Sequence, residues 1–199
     1  MEIVKLSLPT LPDSIVAKII STADSMARDN EPRYWLNNFH STNSVNQHFS
    51  VASDLTTEIN EIYTEYFNQS VTPMIGVMRN VTDQPACLPP HCDRARYIAI
   101  NYYIDLGGDN VRTCFYDYYR TSDDLTESKN IIPSELTLSR SAQFDKNTWY
   151  SYSVQQCHSV ENILTTRTFL GLVLENNLNF TQFCQEYKDL LEQINIKEY

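Results

Sequence analysis

At 199 residues, with 42% hydrophobic and 20% charged residues, the chain has the size and balance of one globular domain and not of a disordered protein. Its formal net charge of −10 and its pI near 4.7 argue against a general nucleic-acid binder, because phosphate contacts need a basic face. It contains no apolar run of the roughly 18 residues that a membrane span needs, and its first residues lack the apolar core of a signal peptide.

Helical periodicity dominates the first third of the chain. A short strand in EIVKLSL precedes a helix in LPDSIVAKIISTADSMARD, which begins near Pro12 and Asp13. A second amphipathic helix is predicted in SVASDLTTEINEIYTEYFNQS. The polar segment between the helices holds His40 and His48, which we interpret as exposed residues without a function.

From about Val71 the pattern changes to the period of two that is typical of strands. The predicted strands are MIGVMRNV, RYIAINYYID, VRTCFYDYY, ELTLSRSAQF, TWYSYSV and TRTFLGLVLE. A helix in NFTQFCQEYKDLLEQINIKEY closes the chain. Consecutive strands flanked by helices favour an antiparallel sandwich or barrel with the helices on one outer face. We expect one domain, with a strand and helices in 1–70, a β core in 71–178 and a C-terminal helix in 179–199.

A candidate metal site lies in the stretch HCDRARYIAINYYIDLGG, residues 91–108. On an extended chain His91 and Asp93 point the same way and can bind one ion, whereas Cys92 points away. His158 is the last residue of the strand-like TWYSYSVQQCH and precedes SVENIL, interpreted as a loop, so a sandwich can bring it to the same end. Two imidazoles and one carboxylate leave coordination positions open, an arrangement that suits non-haem Fe(II).

The two blocks around these residues resemble the 2-oxoglutarate/Fe(II)-dependent dioxygenases, particularly the prolyl-4-hydroxylase-like branch. The first block has His91, Asp93 and Arg96, then YIAINYYID, the glycine pair at 107–108, Thr113 and Phe115. The second is HSVENILTTR, with His158, Val160 and Arg167. The similarity extends over about 74–174, and the loop before Arg96 is shorter than in many relatives.

This resemblance implies a mainly β (α+β) fold, a double-stranded β-helix (jelly roll), with the helices packed on the larger sheet. It also implies that His91, Asp93 and His158 hold Fe(II), while Arg167 and Tyr103 bind the distal carboxylate of 2-oxoglutarate, with ascorbate as a supporting reductant. A guanidinium suits a carboxylate because its rigid fork makes two parallel hydrogen bonds. The expected reaction hydroxylates a C–H bond of a small molecule or peptide and releases succinate and CO₂. Asp93 disfavours halogenation, since halogenating relatives carry a small residue there.

Several residues near the site have alternative interpretations. For Tyr103 the alternative is an ordinary core tyrosine, which we favour less than the ligand role, and Asn101, on the same strand face, receives no specific role. Cys92 and Cys157 each adjoin a candidate ligand, but alternation sends them to the opposite side as small core residues. The chain has five cysteines and no CxxC pair, which favours reduced thiols and a cytoplasmic protein.

Two aromatic segments are candidate substrate contacts. The long polar loop at 117–134 begins with Tyr118, Tyr119 and Arg120, a trio able to stack on a ligand. The stripe of Trp149, Tyr150 and Tyr152 lines either the mouth near His158 or the interior of the sandwich, and we favour the interior.

Two other functions remain open from the sequence. One is a cupin-type metal enzyme that does not use 2-oxoglutarate, in which Arg167 has no role in activity. The other is a catalytically silent jelly-roll binding module, in which a change at His158 is tolerated. The sequence identifies neither the substrate nor the oligomeric state.

Overall fold

The computed structural model describes residues 3–29, 44–93, 96–120 and 135–192. His40 and most of the 117–134 loop lie outside these ranges, as does the side chain of His48. Three α-helices are present in them: α1 (Asp13–Asp29), α2 (Ser53–Phe67) and α3 (Phe180–Glu186). The strands, in chain order, are β1 (Ile3–Leu6), β2 (Ser44–Ser50), β3 (Val71–Asn80), β4 (Ala86–His91), β5 (Ile98–Leu106), β6 (Arg112–Tyr119), β7 (Leu138–Ala142), β8 (Trp149–Ser153), β9 (Gln156–Ile163), β10 (Thr166–Leu174) and β11 (Leu191–Glu192).

The strands form two antiparallel sheets. The major sheet has seven strands in the order β11-β1-β8-β5-β10-β3-β2, and the minor sheet has four in the order β4-β9-β6-β7. Side chains alternate between the two faces of each strand, so the major sheet can build two separate cores. The arrangement agrees with the predicted sandwich.

The helices cover the outer face of the major sheet. Ile15 and Ile19 of α1 and Ile59 of α2 are buried there in one apolar cluster with residues of β3, β5 and β10. At the end of α2, Asn68 adopts a left-handed φ of 49°, which is typical of a helix C-cap. Asn60 then ties the helix to β3, because its amide contacts both the N–H and the carbonyl of Val71 at 2.8 and 2.9 Å.

The second core lies between the two sheets and is rich in aromatic residues. Phe115, Tyr103, Tyr152 and Phe169 are buried in it. The ring of Phe169 lies directly over Gly76, where an added Cβ would be 2.0 Å from the Phe169 Cζ. Glycine is therefore required at 76 for that ring to occupy the inner face.

The sequence prediction for the chain around His158 was wrong in one respect. TWYSYSVQQCH is not one strand: β8 ends at Ser153, and β9 begins at Gln156 and continues through SVENI, which is therefore not a loop. The chain bends at Val154 and Gln155 as it passes from the major to the minor sheet, and neither is a typical turn residue, so no sequence signal marks the bend.

The predicted C-terminal helix is also too long. It ends at Glu186, is followed by one 3₁₀ turn, and gives way to β11, which pairs with β1. The physical reason is that the edge strand β1 offers unpaired backbone groups, which β11 satisfies. Residues 193–199 lie outside the described ranges, and the division into segments 1–70, 71–178 and 179–199 stays a prediction.

Candidate metal centre

His91, Asp93 and His158 come together at one end of the minor sheet. The register of β4 and β9 pairs His91 with His158 directly, and Asp93 follows two residues after the end of β4. The Asp93 Oδ1 lies 3.5 Å from the His91 Nε2 and 3.8 Å from the His158 Nε2. Ligand atoms of all three residues lie within 4.8 Å of one another, so they can hold one metal ion.

Hydrogen bonds at the far side of each imidazole fix its orientation. The Nδ1 of His91 donates to the carbonyl of Pro89 at 2.8 Å, and the Nδ1 of His158 donates to the carbonyl of Gln156 at 3.0 Å. A carbonyl only accepts, so each Nδ1 carries a proton, and in the neutral form of each ring the Nε2 presents its lone pair to the cluster. This arrangement is typical of metal-bound histidines, and the donor set therefore fits an ion.

The charges of Asp93 and His158 also suit a cation. Burial and the neighbouring His91 lower the pKa of His158 to about 4, which keeps that imidazole neutral. Burial opposes ionisation of Asp93, but Arg96 and the two histidines hold the pKa of this carboxyl well below its usual range. For His91, burial lowers the pKa, but the interactions with Asp93 outweigh it and the net shift is upward.

Arg96 binds the carboxylate oxygen that faces away from the cluster. Its Nε and Nη2 lie 2.9 and 2.8 Å from the Asp93 Oδ2. Gln155 donates to the Arg96 carbonyl at 2.9 Å and so anchors the backbone that carries this guanidinium. Oδ2 is thereby occupied, and Oδ1 is left as the single oxygen for a metal. Sequence reasoning did not foresee this pairing.

Arg167 lies at the start of β10 and is only 2% exposed. Its guanidinium carbon is 4.7 Å from the centre of the Tyr103 ring, and its Nη2 is 3.5 Å from the Thr113 Oγ1. Its Nε has no hydrogen-bond partner in the structure. A buried cation with so few partners is costly unless an anion joins it, so the position fits a carboxylate ligand.

Gly107, the first residue of the glycine pair, makes room for this arginine. Gly107 has a φ of +82°, and an added Cβ there would lie 3.1 Å from the Arg167 Cβ. Its carbonyl accepts from Leu164 and Thr165, which holds the β9–β10 turn beside the start of β10. The Gly-Gly signal in the sequence thus has a steric reason at this position.

One cavity is lined by the three candidate metal ligands and also by Arg167 and Tyr103, the residues predicted to bind 2-oxoglutarate. Met78, Leu88, His91, Asp93, Arg96, Asn101, Tyr103, Tyr152, His158, Val160, Arg167 and Phe169 line it. Asn101 and Tyr152 were not assigned roles from the sequence, although alternation along β5 already placed Asn101 on the face of Tyr103; alternation along β8 is the signal that could have placed Tyr152 there. Trp149 is absent from the lining: it is buried in the outer core, and its Nε1 donates to the Pro9 carbonyl at 3.0 Å.

The cysteines next to the ligands do not line the cavity. Cys92 and Cys157 are buried and hydrogen-bonded to each other, which lowers the pKa of Cys92 and raises that of Cys157. Arg120, predicted as a ligand contact, reaches the Asp93 carbonyl at 3.3 Å. It therefore packs against the backbone of the metal loop.

Comparisons with known proteins add information about the fold. No protein-family profile and no curated protein match the chain. SnoN, a non-haem α-ketoglutarate-dependent epimerase from nogalamycin biosynthesis solved with Fe³⁺, α-ketoglutarate and nogalamycin RO, is 12% identical with a TM-score of 0.51, over 86% of this chain and 77% of SnoN. A Trichoplax adhaerens prolyl hydroxylase, solved with a hypoxia-inducible factor fragment, is 9% identical with a TM-score of 0.50, over 85% of this chain and 80% of the hydroxylase.

At these identities the likeness concerns the fold, and it confirms the predicted double-stranded β-helix with helices on the larger sheet. The resemblance read from the two sequence blocks is thus borne out at the level of the fold. In the part of the chain that the structure describes, no helix is both long and apolar enough to cross a membrane.

Proposed function

We propose that this protein is an Fe(II)- and 2-oxoglutarate-dependent oxygenase. The observation that carries the proposal is one cavity holding the His91, Asp93 and His158 cluster together with the buried cation of Arg167. Stability of the fold does not require these groups in one cavity, because burying polar groups without partners is unfavourable. Their presence together therefore indicates a functional site. The shared fold with SnoN, itself α-ketoglutarate-dependent, adds support.

Each residue has a distinct part in this proposal. The Nε2 atoms of His91 and His158 and the Oδ1 of Asp93 hold the iron, while Arg167 and the Tyr103 hydroxyl bind the distal carboxylate of 2-oxoglutarate. Iron and 2-oxoglutarate supply the oxidation of a substrate C–H bond by dioxygen, with release of succinate and CO₂. Arg96 keeps Asp93 ionised and bound through one oxygen, which leaves other coordination positions open.

We further propose that the substrate is a small molecule or peptide and that the protein is cytoplasmic. SnoN was solved with nogalamycin RO and the Trichoplax hydroxylase with a peptide, so the fold accommodates both kinds of ligand. The five free cysteines support a reducing compartment. Hydroxylation is the expected outcome, because Asp93 occupies the position that halogenating relatives leave open.

Anaerobic titration with Fe(II) and 2-oxoglutarate tests the proposal. The wild-type protein is expected to develop the weak visible metal-to-ligand charge-transfer band, and Asp93→Ala is expected to lose it. Asp117→Ala, which removes an exposed carboxylate, is the matched control and should keep the band. A folded wild-type protein without the band, or a band that persists in Asp93→Ala, would contradict the assignment.

Activity, succinate release and ligand binding in two variants separate the other functions. A cupin-type enzyme that does not use 2-oxoglutarate predicts unchanged activity in Arg167→Ala. A silent binding module predicts no succinate release with any substrate and a tolerated His158→Ala change. The oxygenase predicts loss of 2-oxoglutarate binding in the first variant and loss of metal in the second.

A further inference from the structure

Asn101, Tyr152 and Tyr103 form a continuous series of hydrogen bonds that ends beside Arg167. The Nδ2 of Asn101 donates to the Tyr152 hydroxyl at 3.1 Å, and the hydroxyl oxygens of Tyr152 and Tyr103 are 3.3 Å apart. All three side chains are buried, and all three line the cavity that contains the metal cluster. The Tyr103 ring then carries the Arg167 guanidinium on its face.

The amide of Asn101 sets the direction of this series. An NH₂ group can only donate, so the Tyr152 oxygen accepts at that end. If Tyr103 also donated to Tyr152, the buried proton of Tyr152 would have no acceptor in the structure, which is unfavourable. Tyr152 is therefore the donor to Tyr103, and the Tyr103 proton is left for a further acceptor.

Among the described residues the Tyr103 hydroxyl has no hydrogen-bond partner besides Tyr152, so the acceptor comes from a ligand. The group next to Tyr103 is the Arg167 guanidinium, which has donors only. An anion that contacts Arg167 can take the Tyr103 proton as well, and the hydrogen bond is then charge-assisted. Because Tyr152 donates to the Tyr103 oxygen, the Tyr103 hydroxyl proton is oriented toward the anion bound by Arg167.

We propose that Asn101 and Tyr152 are positioning residues that aim the Tyr103 hydroxyl proton at the distal carboxylate of 2-oxoglutarate. This inference rests on the proposed function and adds two residues and a direction to it. Neither residue is assigned a contact with the metal or with the reacting atoms.

Close packing surrounds the Asn101 amide, whose Oδ1 has no hydrogen-bond partner among the described residues. A Cβ added to Gly171 of the neighbouring strand β10 would lie 3.2 Å from the Asn101 Oδ1 and 3.0 Å from the Met74 Cγ. The amide oxygen therefore faces a backbone position without a side chain, and the NH₂ group faces Tyr152.

The test compares two ligands on single hydroxyl deletions, with Mn(II) in place of iron so that no turnover occurs. One ligand is 2-oxoglutarate, and the other is 2-oxopentanoate, which keeps the chelating end but lacks the distal carboxylate. Tyr152→Phe is expected to weaken 2-oxoglutarate binding about fivefold, and Tyr103→Phe about thirtyfold, as for hydrogen bonds to a charged group. Both variants should bind 2-oxopentanoate like the wild type.

Tyr150→Phe is the matched control. Tyr150 lies on the same face of β8 and is also buried, but its hydroxyl donates to the Asp145 Oδ2 at 3.0 Å, outside the series. Its loss should leave the affinity for both ligands unchanged. Met78→Leu, on the cavity wall without a hydroxyl, reports the effect of a purely apolar change.

A double variant separates positioning from structure. In Tyr103→Phe the hydroxyl that Tyr152 orients is absent. Adding Tyr152→Phe to this variant should therefore change the 2-oxoglutarate Kd by less than about twofold. A Tyr152→Phe effect that is equal on both backgrounds, or equal for both ligands, would overturn the inference and leave the proposed function intact. If wild-type protein with bound Mn(II) fails to bind 2-oxoglutarate, both the proposed function and this inference are contradicted.

Discussion

The two faces of β5 carry different chemistry, although their residues alternate along one strand. On the outer face Ile98, Ile100 and Ile104 are buried beneath the helices in an apolar cluster. On the inner face Asn101 and Tyr103 are just as buried but present polar atoms to the cavity.

The same division runs through β8 and β10. Leu170 and Leu172 of β10 belong to the outer cluster, whereas Arg167 points into the cavity. On β8 Trp149 packs outward against Tyr63 at 5.0 Å between ring centres. The outer face therefore contributes stability through apolar burial, and the inner face holds polar groups that a bound ligand would satisfy. The two faces should respond differently to substitution.

The largest expected effect is on the inner face. Arg167→Met should weaken 2-oxoglutarate binding about a thousandfold, roughly 4 kcal/mol, because it removes one partner of a buried charge pair. Calorimetric titration of the protein with bound Mn(II) measures this loss, while direct titration with Mn(II) should show an unchanged metal affinity.

The same variant should not destabilise the ligand-free protein. Arg167 has an unpartnered Nε and forms no ion pair among the described residues, so removing its charge relieves a desolvation cost. Urea unfolding checks this point. A marked loss of stability together with unchanged 2-oxoglutarate binding would mean that Arg167 is structural, and the contrast between the faces would fail.

The next effect is on the outer face. Ile100→Ala should lower the free energy of unfolding by about 3 kcal/mol, because Ile100 is fully buried and the change leaves a cavity. The folded fraction should bind metal and 2-oxoglutarate normally, since Ile100 does not line the site. Urea unfolding and ligand titration on one sample separate the two quantities. Weakened binding that matched the loss in Arg167→Met would contradict a division of labour between the faces.

A smaller effect is expected at Arg96, which touches the metal ligand Asp93. Arg96→Leu should lower metal affinity about tenfold, as is typical when a residue that orients a ligand is removed. Arg96→Lys keeps the charge but not the two contacts of the fork, so it should restore part of the affinity. Competition with a chelating dye measures both variants. Equal affinity in wild type and Arg96→Leu would show that Asp93 does not need this partner.

The features that could be predicted from the sequence are those encoded locally. Alternation in IAINYYIDL and TRTFLGLVL assigns residues to faces, and the H-x-D spacing places two ligands together. The strand β4 was not predicted, because Pro89 and Pro90 argue against a strand. The structure accommodates them in the edge strand of the minor sheet, at a register shift between Leu88 and His91.

The missing parts depend on contacts distant in sequence or on turns without a marker. The pairing of Tyr152 with Tyr103 requires the register of β5 against β8, which no local pattern encodes. The start of β9 follows a bend at Val154 and Gln155 that carries no glycine, proline or asparagine. β11 forms only because β1 is an open edge at that point, so the helical pattern of the C-terminal segment was misleading.

The smallest expected effect lies at this edge, away from both faces. Glu192 of β11 accepts from Ser7 at 2.8 Å and pairs with Lys5 of β1 at 3.2 Å, and these contacts lower its pKa below the usual value. Both partners are more than one-third exposed, so solvent screens the pair, and Glu192→Gln should cost less than about 0.5 kcal/mol.

The pH dependence of this contribution has a defined sign. Because the folded protein binds the Glu192 proton less tightly than the unfolded chain does, the contribution is present above the unfolded pKa and is lost as the pH falls through the lower folded pKa. Wild type and Glu192→Gln should therefore differ slightly in Tm at neutral pH and converge in acid. A difference that grows on acidification would contradict the pairing of β11 with β1 through this carboxylate, and a difference as large as that of Ile100→Ala would mean that the sheet edge stabilises the fold as strongly as its buried faces.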